Sequence, residues 1–483
     1  MTIAASRRQF LVHAGCGVLS GAAFLTGLGR FGLIQALAQS SAPTDYKALV
    51  CVFLFGGNDA NNVVIPYTNY ADYNRVRGTS SIAISQADLL LINPPSTGGL
   101  TFGFHPSFRD GFVSGTAMSP SLNDLWAQQK MAVVCNVGPL SRPITRADYR
   151  AGLARPYQLF SHADQQNLWQ TAYASRSRQT GWGGLVADRT EGISGTGQFP
   201  VIASISGVTV FSTGQDTRPL VLAPAPTALN ATLKLLKTDD RDALLRALTA
   251  DGDAAMPALV QGAAQITSQA LAASDLLTDD PLVRTFPNTS LGNQLKQVAK
   301  LISKAPQLGL TRQIFFTSLG GFDTHTNQGN IVGPQANLLR QVSQAVGTFY
   351  SAMVDLGVSN KVTTFTASDF SRTFVPGGGG TGTDHAWGAH QFVIGDAVRG
   401  GDFYGTYPDL TLAGGVDTDS GSGARGRWIP TSSVDQYAAT LADWYGLAIS
   451  DRALVFPNLA QFSPAVLPFM RAPAPATAST SSR

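Results

Sequence analysis

Apolar and polar positions change period several times along the chain. Ala48-Leu49-Val50-Cys51-Val52-Phe53-Leu54-Phe55 runs without a polar break into Gly56-Gly57, the pattern of a strand covered on both faces. Comparable runs at 131–137, 314–318 and 362–366 predict further strands. Helical patterns lie between them. Residues 227–248 and 256–277 are rich in Ala and Leu, while 291–303 and 335–356 space their apolar side chains by three and four. Strands alternating with helices predict an α/β fold around a mostly parallel, doubly wound sheet. The stretch from about 225 to 305 reads as a helical insert beside that sheet.

The two ends follow neither period. Ser6-Arg7-Arg8-Gln9-Phe10-Leu11 precedes an apolar stretch reaching about Gly29, and Ala36-Leu37-Ala38 supplies a small-x-small cleavage pattern. Residues 1–38 therefore resemble a twin-arginine export signal, with an ordinary secretory signal or an uncleaved anchor as the alternative. This predicts a periplasmic or secreted protein whose partner during export is the twin-arginine translocase. Residues 471–483, built from Ala, Pro, Ser and Thr between two arginines, predict a disordered tail and leave 39–470 as the α/β domain. Losing Arg7, Arg8 and Arg30 from the 34 basic residues leaves 31 against 31 acidic ones. That balance excludes an electrostatic case for nucleic acid. No later apolar run reaches the ~18 residues of a membrane span. Cys51 and Cys135 sit inside strand-like runs, as buried thiols or as a disulfide permitted by an oxidising compartment.

Polar residues gather where strands are predicted to end, the place where open α/β sheets bind ligands. Asp59 follows the first strand in Gly56-Gly57-Asn58-Asp59, and Asp323 and His325 follow another in Gly320-Gly321-Phe322-Asp323-Thr324-His325. Asp369 follows the 362–366 run, and a glycine run at 377–380 leads into Thr383-Asp384-His385, with His390 close behind. Carboxylates and neutral imidazoles together suit a divalent transition metal, zinc first, manganese or iron as alternatives. The spacing of Asp323 and His325 turns both side chains to one side of an extended loop. His105, ahead of Pro106, reads as a structural hydrogen-bonding imidazole or a further member of the cluster.

Four of these motifs, in order, resemble the DUF1501 family: Gly56-Gly57-Asn58-Asp59-x-x-Asn62, Gly320-Gly321-Phe322-Asp323-Thr324-His325, Ser368-Asp369-Phe370-Ser371-Arg372-Thr373 and Gly382-Thr383-Asp384-His385-x-Trp387-Gly388. The resemblance spans roughly 45–465 and includes His105-Pro106 and Gly426-Arg427-Trp428-Ile429-Pro430. It implies a member of the alkaline phosphatase superfamily: a mostly parallel sheet between helices, one or two divalent ions at the strand ends, and transfer of a phosphoryl or sulfuryl group. By position it implies Asp59, Asp323, His325, Asp369, Asp384, His385 and His390 as metal ligands. Phe370 stands where the superfamily pairs the preceding Asp with an imidazole, which His385 or His390 would then supply. Phe160-Ser161-His162-Ala163-Asp164-Gln165-Gln166 resembles the family's Ser-His-x-x-x-Gln motif. It implies Ser161 and His162 as catalytic, Ser161 being a nucleophile favoured by a helix dipole or only a helix cap. Arg372 or Arg142 is a candidate clamp for an anionic substrate. Two readings stand: an exported metal-dependent hydrolase of anionic phosphate or sulfate esters, small or polymeric, and a non-catalytic metal-containing binding or assembly protein of the cell envelope.

Overall fold

The computed structural model describes residues 45–195, 199–232 and 275–472, with isolated residues between 233 and 274. The leader expected at 1–38, much of the 225–305 insert and nearly all of the 471–483 tail lie outside the described residues.

Among the described residues nine strands form the central sheet: β1 (Lys47–Leu54), β2 (Met131–Gly138), β3 (Ile202–Ser204), β4 (Leu220–Val221), β5 (Arg312–Leu319), β6 (Val362–Ser368), β7 (Ala389–Ile394), β8 (Phe403–Tyr404) and β9 (Ser432–Ser433). Their order is β8-β2-β7-β6-β1-β5-β3-β4, with β9 also beside β2. Every pairing is parallel except the two made by β7, which runs against β6 and β2. The protein is thus an α/β fold with a mostly parallel sheet.

The unbroken apolar run of β1 has a simple cause: both faces of the strand are covered. Val50, Val52 and Leu54 join a core with Leu295 and Val298 of α4 (Ser290–Ser303) and Leu339 and Val342 of α5 (Pro334–Asp355). Leu49, Cys51 and Phe53 face the other way. They pack with Trp169 of α2 (His162–Thr171), Trp182 and Leu185 of α3 (Trp182–Arg189), and Tyr437 and Leu441 of α6 (Val434–Tyr445). Each such side chain taken fully out of water contributes about 1.5–3 kcal/mol, so the centre of the sheet is the least expendable part of the fold. Cys51 and Cys135 belong to opposite cores and are free, buried thiols. Among the described residues no helix is long and apolar enough to cross a membrane.

Candidate metal centre at the strand ends

Parallel pairing brings three chain segments to one edge of the sheet. Leu54 at the end of β1 pairs with Leu319 of β5 on one side and Ser368 of β6 on the other. The following loops therefore leave side by side. They remain tied together: Phe322 N donates to Phe55 O (3.2 Å), and Asn58 N donates to Ser368 Oγ (2.9 Å). Gly56 permits this approach, because its φ is +111° and a Cβ there would lie 2.4 Å from Asp323 N.

Around Asp323 three imidazoles converge. His325 Nε2 lies 3.0 Å from Asp323 Oδ1 and 3.0 Å from His385 Nε2. His385 Nε2 is 3.5 Å from the same carboxylate oxygen, and His162 Nε2 is 3.4 Å from Asp323 Oδ2. Ligands on a tetrahedral zinc with bonds of ~2.0–2.1 Å are separated by roughly 3.3 Å, so these spacings fit a divalent ion. The tautomers fit as well. His385 Nδ1 lies 2.8 Å from Phe160 O, and a carbonyl only accepts, so Nδ1 carries the proton and Nε2 faces the cluster with its lone pair. His162 Nδ1 lies 2.7 Å from Asp369 Oδ2, while His162 Nε2 is buried without a hydrogen-bond partner. A buried nitrogen with no hydrogen-bond partner, aimed at a carboxylate, fits the chemistry of a metal ligand. Asp384 stands at the rim, its Oδ1 3.9 Å from His325 Nδ1 and accepting the His385 backbone N–H at 2.8 Å.

The cluster rests on buried polar supports. Fully buried Asp369 takes Gln166 Nε2 (2.9 Å) and Gly56 N (3.2 Å) on the oxygen that holds His162, the carboxylate–histidine arrangement that orients metal ligands. Arg372, also buried, donates to Asp323 Oδ1 (2.7 Å), Gly56 O (3.1 Å) and Thr383 O (2.6 Å). It is turned inward and fastens the two ligand loops instead of reaching for substrate. Gln328 accepts from Thr324 Oγ1 (2.9 Å) and Thr383 Oγ1 (2.7 Å), joining the same loops from beneath. Phe370 packs its ring 4.8 Å from His162 and 4.7 Å from His385, walling the imidazoles.

These contacts set the electrostatics. The Asp369 hydrogen bond raises the pKa of His162 against the opposing effect of burial. Burial lowers His385. Burial alone would raise Asp323, but the hydrogen bond and charge of Arg372 outweigh it and hold the carboxyl below its ordinary range. Asp384 is lowered in the same way, burial being outweighed by the His385 N–H and the Arg427 charge.

The structure brings Asp323, His325, Asp384, His385 and His162 together, with Asp369 behind His162. It does not bring Asp59 or His390 to them. Asp59 is buried in a bidentate pair with Arg77, from α1 (Tyr70–Arg77), at 2.7 and 3.1 Å. His390 lies inside β7, accepts Asn136 N on Nδ1 (3.2 Å) and stacks on Tyr407; burial lowers its pKa to about 3. The ligand role implied for it fails to find a place because β7 pairs on both sides and holds His390 inside the sheet. Ser161 precedes the first turn of α2 but makes no cap: its Oγ donates to Asp164 Oδ2 at 2.6 Å. His105 is structural, with Nδ1 accepting Ser107 N and Nε2 donating to Asn330 O. Arg77 and Gln328 were not singled out from sequence, and Gln166 was marked only as the last residue of the Ser-His-x-x-x-Gln motif, because the contacts that make them supports are formed only in the fold.

No curated protein matches the sequence. Among solved structures, the chain is similar to the PsFucS1 sulfatase from Pseudoalteromonas sp., at 12% identity and a TM-score of 0.27 over 80% of this chain and 69% of that one. It is similar also to the lipoteichoic acid synthase LtaP from Listeria monocytogenes, at 7% identity and a TM-score of 0.30 over 89% and 79%. The alkaline phosphatase PafA shows 10% identity and a TM-score of 0.28 over 69% and 64%. The sequence itself speaks more directly: residues 46–417 match the family described as "Protein of unknown function (DUF1501)", and the chain belongs to that family.

Proposed function

We propose that the protein is an exported hydrolase of phosphate or sulfate esters that depends on one or two divalent ions, zinc first and manganese or iron next. The observation that carries this reading is the convergence of His162, His325 and His385 on Asp323 at the ligand-binding edge of the sheet. An ion held there would polarise the ester and offset charge on the transferred group and leaving oxygen. The remaining work falls to this chain's own residues. Asp369 fixes the His162 ring and its tautomer, and Arg372 fixes Asp323. Ser161 is the proposed nucleophile, with Asp164 within hydrogen-bond reach to take its proton as the Oγ bond to phosphorus or sulfur forms and the bond to the ester oxygen breaks, the departing oxygen taking a proton from solvent to leave as the alcohol. Water then hydrolyses the serine ester. Exposed Asp323 and His325 leave the centre open to a solvent-borne anionic substrate, small or polymeric. The leader pattern in residues 1–38 supports a periplasmic or secreted location.

One observation favours a second reading, a metal-containing binding or assembly protein of the envelope: the Ser161 hydroxyl is given to Asp164 and not to the cluster. Metal content of residues 39–483 by elemental mass spectrometry, together with turnover of chromogenic phosphate and sulfate esters, separates the two. The hydrolase reading expects Ser161→Ala to keep its metal and lose turnover, and Asp323→Ala/His325→Ala to lose both. Metal-loaded wild-type protein inert toward every ester would leave the second reading standing.

A further inference from the structure

Ligand atoms at the centre form two groups, His162/Asp323/His385 and His325/Asp384/His385, each with its atoms within 4.8 Å of one another. Two groups suggest two ions. Both, however, require His385, and His385 has one nitrogen to give. Its Nδ1 proton is committed to the Phe160 carbonyl, so Nε2 alone carries a lone pair. Whichever group takes it leaves the other with two protein ligands. Asp323 links the alternatives, since its carboxylate lies within 3.5 Å of all three Nε2 atoms.

The third strand-end carboxylate offers no second cradle. Asp59 is fully buried, and the Arg77 guanidinium already occupies both of its oxygens. Arg77 spends its other donors on Phe374 O (2.8 Å), Thr373 O (2.9 Å) and Asn62 Oδ1. Gln328 Nε2 adds a hydrogen bond to Asp59 Oδ2 at 2.6 Å. A permanent cation with its donors satisfied already occupies the carboxylate that the family resemblance implied as a further ligand, and an ion arriving there would meet its charge at contact distance.

We infer that the centre holds a single divalent ion, bound by His385 with Asp323 and His162, and that Arg77 supplies the fixed positive charge at Asp59. The inference rests on the metal reading above and makes it stricter. The test is the metal-to-protein ratio of the mature chain after loading with zinc or manganese and removal of free ion, checked by anomalous diffraction for the number of peaks. A ratio near one, unchanged in folded Asp59→Asn and lost in His385→Ala, is the expected result. A ratio near two with a peak at Asp59 overturns the single-ion inference and leaves the metal reading intact. A ratio of zero in folded wild-type protein overturns both. Should Asp59→Asn fail to fold, the wild-type ratio and peak count decide alone.

Discussion

The loops after β1 and β5 begin alike, Gly56-Gly57-Asn58-Asp59 and Gly320-Gly321-Phe322-Asp323, and leave neighbouring strands in register. Their carboxylates meet opposite fates. The Asp59 side chain is 1% exposed and matched to one guanidinium, whereas that of Asp323 is 43% exposed and shared by Arg372 and three imidazoles. What differs is the chain around them. Asp59 leads into Asn61, Asn62 and a helix delivering Arg77, while Asp323 leads into His325 and faces His162 and His385. A glycine-glycine-x-aspartate turn places a carboxylate at a strand end; distant residues decide whether it becomes a buried anchor or the exposed centre of an imidazole cluster.

The largest effect should come from breaking the Asp59–Arg77 pair. Arg77→Met strands a buried carboxylate and is expected to cost about 3–5 kcal/mol in denaturant unfolding. Adding Asp59→Asn should return much of it. No loss in the single variant would mean that the pair contributes no anchoring.

Asp435 supplies the contrast of a carboxylate buried without such a cation. Burial raises its pKa to about 8, and its Oδ1 has no partner. The folded state therefore holds a proton that the unfolded state releases near pH 4, so stability falls as pH rises between the two values. The slope is about 1.4 kcal/mol per pH unit over that window. Asp435→Asn should flatten that component of a thermal-stability profile from pH 5 to 8, and an identical slope in the variant would remove Asp435 as its source.

In the Asp323 loop the proposed metal site makes ion affinity the sensitive quantity. Asp369→Asn weakens the hold on His162 and is expected to lower affinity about 10–100-fold, with the melting temperature of the metal-free protein little changed. Competition against a chelator reads this directly. The glycines give the smallest effects. Gly321 has φ +104° and its added Cβ would meet only Leu338 at 3.4 Å, so Gly321→Ala should cost about 1 kcal/mol. Gly56→Ala should cost about 2 kcal/mol, because its Cβ would strike the Asp323 backbone. Equal losses would show that the two loops do not depend on their close approach.

The strands that carry the site were legible because each is covered on both faces and reads as one apolar run. Residues 131–137, 314–318 and 362–366 fall within β2, β5 and β6, and 291–303 and 335–356 nearly coincide with α4 and α5. β7 was not legible: Ala389-His390-Gln391 breaks the apolar pattern, and so His390 reads as a loop ligand. Asp323, His325, Asp384 and His385 could be grouped because short spacing and strand ends mark them. Asp59 could not be separated from them, since its partner Arg77 lies in an ordinary polar helix and only packing reveals the pair. For His162, the Ser-His-x-x-x-Gln motif marked the residue but not the Asp369 contact that gives its ring a direction.

β1 has consequences for the order of events during folding. Its neighbours in the sheet begin at Arg312 and Val362, more than 250 residues downstream, and chains dominated by such distant pairings form slowly. His162, Asp323 and His385 reach one another only through those pairings. A nascent chain short of residue 385 has no complete centre, whatever it has already packed. Any ion the cluster takes would therefore have to wait for the sheet, a stamp that only a finished fold can receive.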